Sequence, residues 1–98
     1  MIIKEILADL ETKDHPVAKA LYKKDGFKVL MLAFKEGMIL KEHKAHVPTK
    51  LVVLEGSVKY ISESTEIELG KYDEFDIPVN DLHAVSALEN SLCMLLQG

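Results

Sequence analysis

The sequence predicts an all-β fold, an antiparallel sandwich or barrel with a short N-terminal helix. Two observations support this fold class. From residue 17 to residue 96, short segments with alternating or continuous apolar character follow one another, and turn residues separate them every several positions. Apolar residues with helical spacing occur at the N-terminus. A chain of 98 residues has room for one hydrophobic core, so we predict that residues 1–98 form a single domain.

The N-terminal helix is predicted from the spacing of its apolar residues. Intervals of three and four place these residues on one face of a helix of about three turns; they are Ile2, Ile3, Ile6, Leu7 and Leu10. The opposite face mixes acidic and basic side chains. We therefore expect the helix to cover one end of the sheet domain rather than to lie on a membrane.

The predicted strands follow from alternation and turn residues. They cover residues 17–22, 27–34, 50–54, 58–62, 65–69, 75–77, 83–88 and 92–96. Residues 29–34 are apolar without a break, so both faces of that strand should be buried. One face can meet the core and the other needs a cover. We predict a second copy of the chain, in a homodimer, as this cover, with the helix as the intramolecular alternative.

Composition and charge exclude several classes of partner. The net charge is −4, and lysines are interspersed with acidic residues, so no basic stripe matches a nucleic-acid backbone. No apolar run approaches the roughly 20 residues of a membrane span, and charged residues interrupt the N-terminal apolar positions, unlike a signal peptide. The single cysteine, Cys93, is predicted to be a buried, inert thiol. We expect a cytoplasmic protein with no nucleic-acid or membrane partner.

Two segments resemble the motifs of the cupin superfamily, G-x5-H-x-H-x3or4-E-x6-G and G-x5-P-x-G-x2-H-x3-N. Gly37 precedes His43 by the spacing of the first motif, and Gly56 closes it in VLEG. Pro78 precedes His83 by five residues, as in the second motif. The resemblance covers roughly half of the chain and implies a jelly-roll barrel of the small, single-domain cupin type. It also implies that His43 and His83 lie side by side in the pocket of the barrel.

The chain departs from the cupin pattern at two metal-ligand positions. Ala45 replaces the second histidine, and Thr49 and Lys50 occupy the positions where the glutamate is expected. Outside the ligand set, three further residues replace two glycines and the final asparagine of the second motif; they are Tyr72, Asn80 and Ala87. The resemblance therefore supplies two of four expected ligands, His43 and His83.

His46 is the candidate for a third metal ligand. On a regular strand it points away from His43, but Pro48 disfavours regular geometry and allows the chain to bend towards the pocket. Three imidazoles, from His43, His46 and His83, can form an open site for a divalent transition metal such as Fe, Mn, Ni or Zn. Two alone rarely hold such an ion firmly. The alternative for His46 is a loop histidine in solvent.

Two hypotheses for function follow. In the first, the barrel binds a small molecule without an essential metal; His43 and His83 make the polar contacts, and Tyr60 and Phe75 line the pocket mouth unless they belong to the core. In the second, it is a metal-dependent enzyme of the dioxygenase or isomerase type that uses His43, His46 and His83. A plainer alternative is an interaction protein whose dimer is its function. No catalytic nucleophile or acid–base pair is apparent, and we favour the first hypothesis.

Overall fold

The computed structural model describes residues 1–98, which form two antiparallel sheets and one helix. The elements are α1 (Ile2–Leu10), β1 (Val17–Lys24), β2 (Phe27–Phe34), β3 (Ile39–His43), β4 (Thr49–Glu55), β5 (Ser57–Ser62), β6 (Glu66–Gly70), β7 (Glu74–Ile77), β8 (His83–Ala87) and β9 (Ser91–Gln97). No helix has the length and apolar character needed to cross a bilayer.

The two sheets pack face to face around the main core. Their strand orders are β1-β2-β9-β4-β7 and β3-β8-β5-β6, and all neighbouring strands are antiparallel. Inward-facing residues of both sheets meet in the core, among them Leu32, Phe34, Leu51, Val53, Val58, Tyr60 and Val85. The predicted all-β fold with a short N-terminal helix is confirmed. The strand β3, which was not predicted as a separate element, carries His43.

The apolar run in β2 is buried on both faces, as predicted. Leu32 and Phe34 belong to the core between the sheets, whereas Met31 and Ala33 pack against helix α1 in a second cluster that contains Ile6. The helix therefore provides the intramolecular cover for the outer face of β2. The homodimer stays a prediction, which light scattering on the 11.0 kDa chain can test.

Strand β1 is an exposed edge strand, and a β-bulge interrupts its pairing with β2. Ala20 lies opposite Leu30, but the next paired residue, Tyr22, lies opposite Val29. Leu21 is therefore the extra residue. A bulge of this kind reverses the alternation of the side chains that follow it, so the face presented by the end of β1 differs from that of a regular strand.

Two residues that replace glycines of the cupin pattern keep a glycine-like backbone. Tyr72 and Asn80 have φ values of 72° and 63°, and they are the only residues other than glycine with positive φ. Gly37 and Gly56, at the other two glycine positions of the motifs, have φ values of 86° and 81°. Asparagine tolerates this left-handed region, whereas for tyrosine it costs about 1–2 kcal/mol. The backbone frame of both motifs is therefore retained.

Candidate functional site

His43 and His83 lie side by side on neighbouring strands, as the sequence predicts. They are directly opposite each other in the register of β3 and β8. Their ring centroids are 4.3 Å apart, with the ring planes inclined at 57°. His83 is almost completely buried, with 1% of its surface exposed, while His43 is half-buried. The pair thus combines one ring in the protein interior with one closer to solvent.

Backbone carbonyls fix the tautomer and orientation of both rings. The Nδ1 atom of His43 lies 2.8 Å from the carbonyl oxygen of Lys41, and that of His83 lies 2.8 Å from the carbonyl oxygen of Asp81. Because a carbonyl oxygen only accepts hydrogen bonds, Nδ1 carries the proton in each ring. In its neutral form, each imidazole therefore keeps a lone pair on Nε2. The pair offers two hydrogen-bond acceptors whose directions are set by the backbone.

Both rings line a cavity of about 50 Å³ between the two sheets. Its lining residues are Leu32, Leu40, His43, Lys44, Ala45, Thr49, Leu51, Ile77, His83, Val85, Leu95 and Gln97. No buried polar side-chain atom lacks a hydrogen-bond partner. Since the one hydrogen bond of the His83 ring is made by Nδ1, its Nε2 must be accessible to water. The cavity wall is mostly apolar, with the two imidazoles among its few polar groups.

The size of the cavity limits what it can hold. A buried water needs about 10–15 Å³ of such volume, and an apolar cavity of about 150 Å³ accommodates benzene. Pockets for drug-sized ligands are several times larger still. The cavity can therefore enclose a few waters or a group smaller than benzene. A longer ligand would leave part of its length at the mouth.

Tyr60 and Phe75, which we predicted at the pocket mouth, do not line the cavity. The Tyr60 ring is completely buried and stacks on His83, with centroids 4.8 Å apart, and Phe75 packs against it at 4.6 Å. The Tyr60 hydroxyl donates a 2.5 Å hydrogen bond to Oδ2 of Asp81. Burial raises the pKa of Tyr60, and the Asp81 carboxylate raises this pKa further. Both aromatic rings are core residues that support His83 from behind.

Asp81 supports the site in two ways that sequence reasoning missed. Its carboxylate accepts the Tyr60 hydroxyl, and its carbonyl oxygen accepts Nδ1–H of His83. In the sequence it is visible as part of the Asn80-Asp81 turn, and no local signal connects it with Tyr60, which is 21 residues away. The contact arises from the packing of the turn against β5.

Burial keeps His83 neutral over a wider pH range than a free histidine. Desolvation lowers the pKa of His83 below its ordinary value of 6.5, and the nearby His43 ring lowers it further. The hydrogen bond to the Asp81 carbonyl and the charge of the Asp81 carboxylate oppose this shift without cancelling it. The Nε2 atom of His83 is therefore an acceptor at neutral pH.

His46 does not join the histidine pair. It is exposed, and its Nδ1 atom makes a 2.9 Å hydrogen bond with Oδ1 of Asn80. No group of three or more His, Cys, Asp or Glu side chains is arranged to hold a metal ion. The predicted site of His43, His46 and His83 is therefore not assembled. His46 is instead a loop histidine in solvent, which was the alternative prediction for this residue.

The positions of the two missing cupin ligands face the same cavity. Ala45 and Thr49 both line it, and the Thr49 hydroxyl donates a 3.0 Å hydrogen bond to the carbonyl oxygen of Val47. The donors available at this point are thus two imidazoles and no carboxylate. This set does not fit a resident divalent metal ion, which needs three protein ligands or more in an open site.

Two further polar residues line the cavity and were not among the predicted site residues. Gln97 donates a 3.4 Å hydrogen bond from Nε2 to Oγ1 of Thr49, and Lys44 is the one charged side chain in the lining. Strand alternation could have identified Gln97, because it follows Cys93 and Leu95 on the inward face of β9. Cys93 itself is buried, and burial raises its pKa to about 12, which confirms an inert thiol.

Comparison with known proteins rests on structure, since no family model and no curated protein matches the chain. A cupin superfamily protein from Desulfitobacterium hafniense superposes with a TM-score of 0.79 at 18% identity, covering 87% of this chain and 78% of the other. KdgF from Halomonas sp. superposes with a TM-score of 0.75 at 20% identity, covering 88% of this chain and 82% of the other. A cupin-2 domain protein from Shewanella frigidimarina superposes with a TM-score of 0.76 at 14% identity, covering 97% of this chain and 90% of the other. The chain therefore has the cupin fold.

Proposed function

We propose that this protein binds a small molecule in the cavity between its sheets, through Nε2 of His43 and His83, without a resident metal. The observation that carries the proposal is the pair of imidazoles whose Nδ1 atoms are held by backbone carbonyls. This arrangement leaves two acceptors with fixed directions in a mostly apolar lining. Ligand sites commonly combine apolar walls with a few positioned polar groups in this way.

The lining favours a particular kind of ligand. Each of the two Nε2 lone pairs accepts one hydrogen bond, so a ligand hydroxyl or N–H group can donate to one ring and a water molecule to the other. The surrounding walls, which include Leu32, Leu51 and Leu95, suit a short hydrocarbon segment. A small molecule with a hydroxyl on a short aliphatic chain satisfies both requirements within the available volume.

A metal-dependent enzyme using three histidines has less support. Such an enzyme would need His46 at the histidine pair, whereas its ring is exposed and engaged with Asn80. Ala45 and Thr49 offer no imidazole or carboxylate at the positions where the cupin pattern has them. The binding function requires none of these groups.

Titration with propan-1-ol, followed by NMR of the imidazole nitrogens, tests the proposal. The alcohol should cause a saturable shift of the Nε2 resonances of His43 and His83, and EDTA should leave the response unchanged. His43→Asn should weaken binding about 2- to 10-fold, the effect of losing one hydrogen bond. His46→Asn is the matched control, because the same change lies outside the cavity and should leave binding as it is.

Two results would contradict the proposed function. The first is the absence of any saturable imidazole shift with propan-1-ol and with its shorter homologues. The second is near-stoichiometric binding of Zn²⁺ or Ni²⁺ that His43→Asn abolishes and that raises the melting temperature. The second result would favour the metal-dependent alternative.

A further inference from the structure

A row of side chains leads from the exposed edge of the five-stranded sheet into the cavity. Lys23 lies opposite Lys28, Lys28 opposite Gln97, and Gln97 opposite Thr49. Residues directly opposite each other on neighbouring strands point to the same face of the sheet. Because Gln97 and Thr49 line the cavity, the two lysines lie on the cavity side of the sheet.

The bulge in β1 places Lys23 on this face. Ala20 shares the inward face with Leu30, so regular alternation would turn Lys23 outward. The extra residue, Leu21, shifts the alternation by one, and Lys23 then lies opposite Lys28 on the inward side. The β-bulge in the edge strand thus brings two positive charges together.

Neither of these two lysines has an ion-pair partner within 4.0 Å. Like charges directly opposite each other on neighbouring strands are destabilising, and Lys28 is half-buried. Neither lysine takes part in an ion pair, although five other lysines do; those five are Lys19, Lys35, Lys50, Lys59 and Lys71. An anion between Lys23 and Lys28 would remove this repulsion.

The lysines line a surface groove that adjoins the cavity. Gln97 lines both the groove and the cavity, so it stands at the boundary between them. Lys44, also without an ion pair, adds a third positive charge on the cavity side. No Asp or Glu side chain lines either space; Lys24 also lines the groove, and so does Gly98, whose main-chain carboxyl group makes no ion pair with a lysine. In a chain of net charge −4, the side chains at this end of the barrel are locally positive.

We propose that the groove and the cavity form one site for a small organic carboxylate. Its carboxylate lies between Lys23 and Lys28, and its body passes Gln97 into the cavity, where its hydroxyl donates to Nε2 of one ring of the histidine pair. This proposal rests on the proposed function and adds the charge class of the ligand. Lysine ammonium groups suit a carboxylate site at the exposed edge, because water hydrates them when no anion is bound.

The spacing of the strands sets the length of the ligand. Neighbouring strands lie about 4.8 Å apart, so Lys28 is one strand from Gln97 and two strands from Thr49. The span from Lys28 to Thr49 is therefore about 9.6 Å. An extended chain advances about 1.2 Å per bond, so an ω-hydroxy acid of six carbons, 6-hydroxyhexanoate, has its terminal oxygens about 9 Å apart and matches this span.

Matched probes and variants test the carboxylate site. 6-Hydroxyhexanoate should bind about 3- to 10-fold more tightly than hexane-1,6-diol at low salt, as expected for two exposed charge contacts, and added salt should reduce the difference. Lys23→Gln/Lys28→Gln should lower the affinity for the acid to that for the diol. Lys4→Gln/Lys13→Gln changes the net charge equally at two exposed lysines without ion pairs, away from the groove, and should preserve the preference for the acid.

The outcomes separate this proposal from the function on which it rests. Equal affinities for acid and diol, with imidazole shifts from both, would overturn the carboxylate site and leave the cavity as a binding site. An acid that binds through the lysines without shifting His43 or His83 would overturn the assignment of groove and cavity to one site. Equal loss of acid binding in both double variants would show that net charge alone acts, which also overturns it.

Discussion

The two sides of the cavity are built in opposite ways. On the side of β3 and β8, the histidine pair is held by backbone carbonyls and supported by the buried Tyr60 ring. On the side of β1 and β2, Lys23 and Lys28 make no ion pair. The histidine side has its polar contacts made within the chain, whereas the lysine side has charges without partners. The histidines are therefore coupled to folding through Nδ1 and offer only Nε2 to a ligand, whereas the whole ammonium groups of the lysines are available to one.

Strand position explains this difference. β8 lies between β3 and β5, so its inward side chains are covered from both sides, whereas β1 has a neighbour on one side only. A buried polar group must have its hydrogen bonds satisfied within the protein. A charge on an edge strand can use water instead. Substitutions on the histidine side should therefore change stability as well as binding, and those on the lysine side should change binding alone.

The largest effect is expected from Tyr60→Ala. This change removes a completely buried ring that lies between Phe75 and His83, and it should lower the free energy of unfolding by about 3–5 kcal/mol. Urea denaturation followed by circular dichroism measures the loss. Tyr60→Phe keeps the ring and removes the hydrogen bond to Asp81, so it should cost less, about 1–2 kcal/mol. Equal losses for the two variants would contradict the role of the ring as support for His83.

An intermediate effect is expected from acid pH. The folded state lowers the pKa of His83, so below pH 6.5 the unfolded chain binds more protons than the folded one. The free energy of unfolding should have its full value above pH 6.5 and should decrease as the pH drops through 6.5. The decrease due to this one proton is at most about 1.4 kcal/mol per pH unit. Urea denaturation at a series of pH values measures the slope.

Two histidine variants identify the source of this pH dependence. His83→Gln removes the titrating group and should reduce the slope below pH 6.5, whereas His46→Gln changes an exposed histidine and should leave it unchanged. In the wild-type chain, ligand affinity should fall at lower pH than stability does, once His83 of the folded state becomes protonated, because protonated Nε2 no longer accepts a hydrogen bond. A slope that survives His83→Gln would assign the effect to other groups.

The smallest effect on stability is expected from Lys23→Gln/Lys28→Gln. Removing two unpaired like charges that face each other should leave the free energy of unfolding within about 0.5 kcal/mol or raise it slightly. Thermal denaturation at low and high salt measures this, and any gain should be larger at low salt. A loss above about 1 kcal/mol would mean that the lysine side is coupled to folding as the histidine side is.

Much of the fold was predictable from local pattern. The apolar spacing of residues 2–10 and the alternation of the later segments reflect how each element must bury one face, so helix and strands could be placed within a few residues. The meeting of His43 and His83 followed from the motif resemblance. What covers β2 could not be read from the run itself, because an apolar face is compatible with a helix or with a second subunit.

The details of the site were less predictable. The direction of His46 depends on a loop that Asn80, 34 residues away, holds by a hydrogen bond. The side of the sheet on which Lys23 lies depends on one extra residue in β1, and no sequence pattern marks that bulge. Strand alternation predicts that Tyr60 points inward, but an inward residue can belong to the core or to the cavity wall. Pattern alone could not distinguish these two locations.

By itself, the sequence determined the class of fold, the two motif histidines and the loss of the remaining cupin metal ligands, because these follow from residue identity and periodicity. The tertiary structure decided which polar groups have partners. It fixed the tautomers of His43 and His83, moved His46 out of the site and brought Lys23 opposite Lys28. Those outcomes depend on contacts between residues distant in the chain, and such contacts are set by packing and register rather than by local preference.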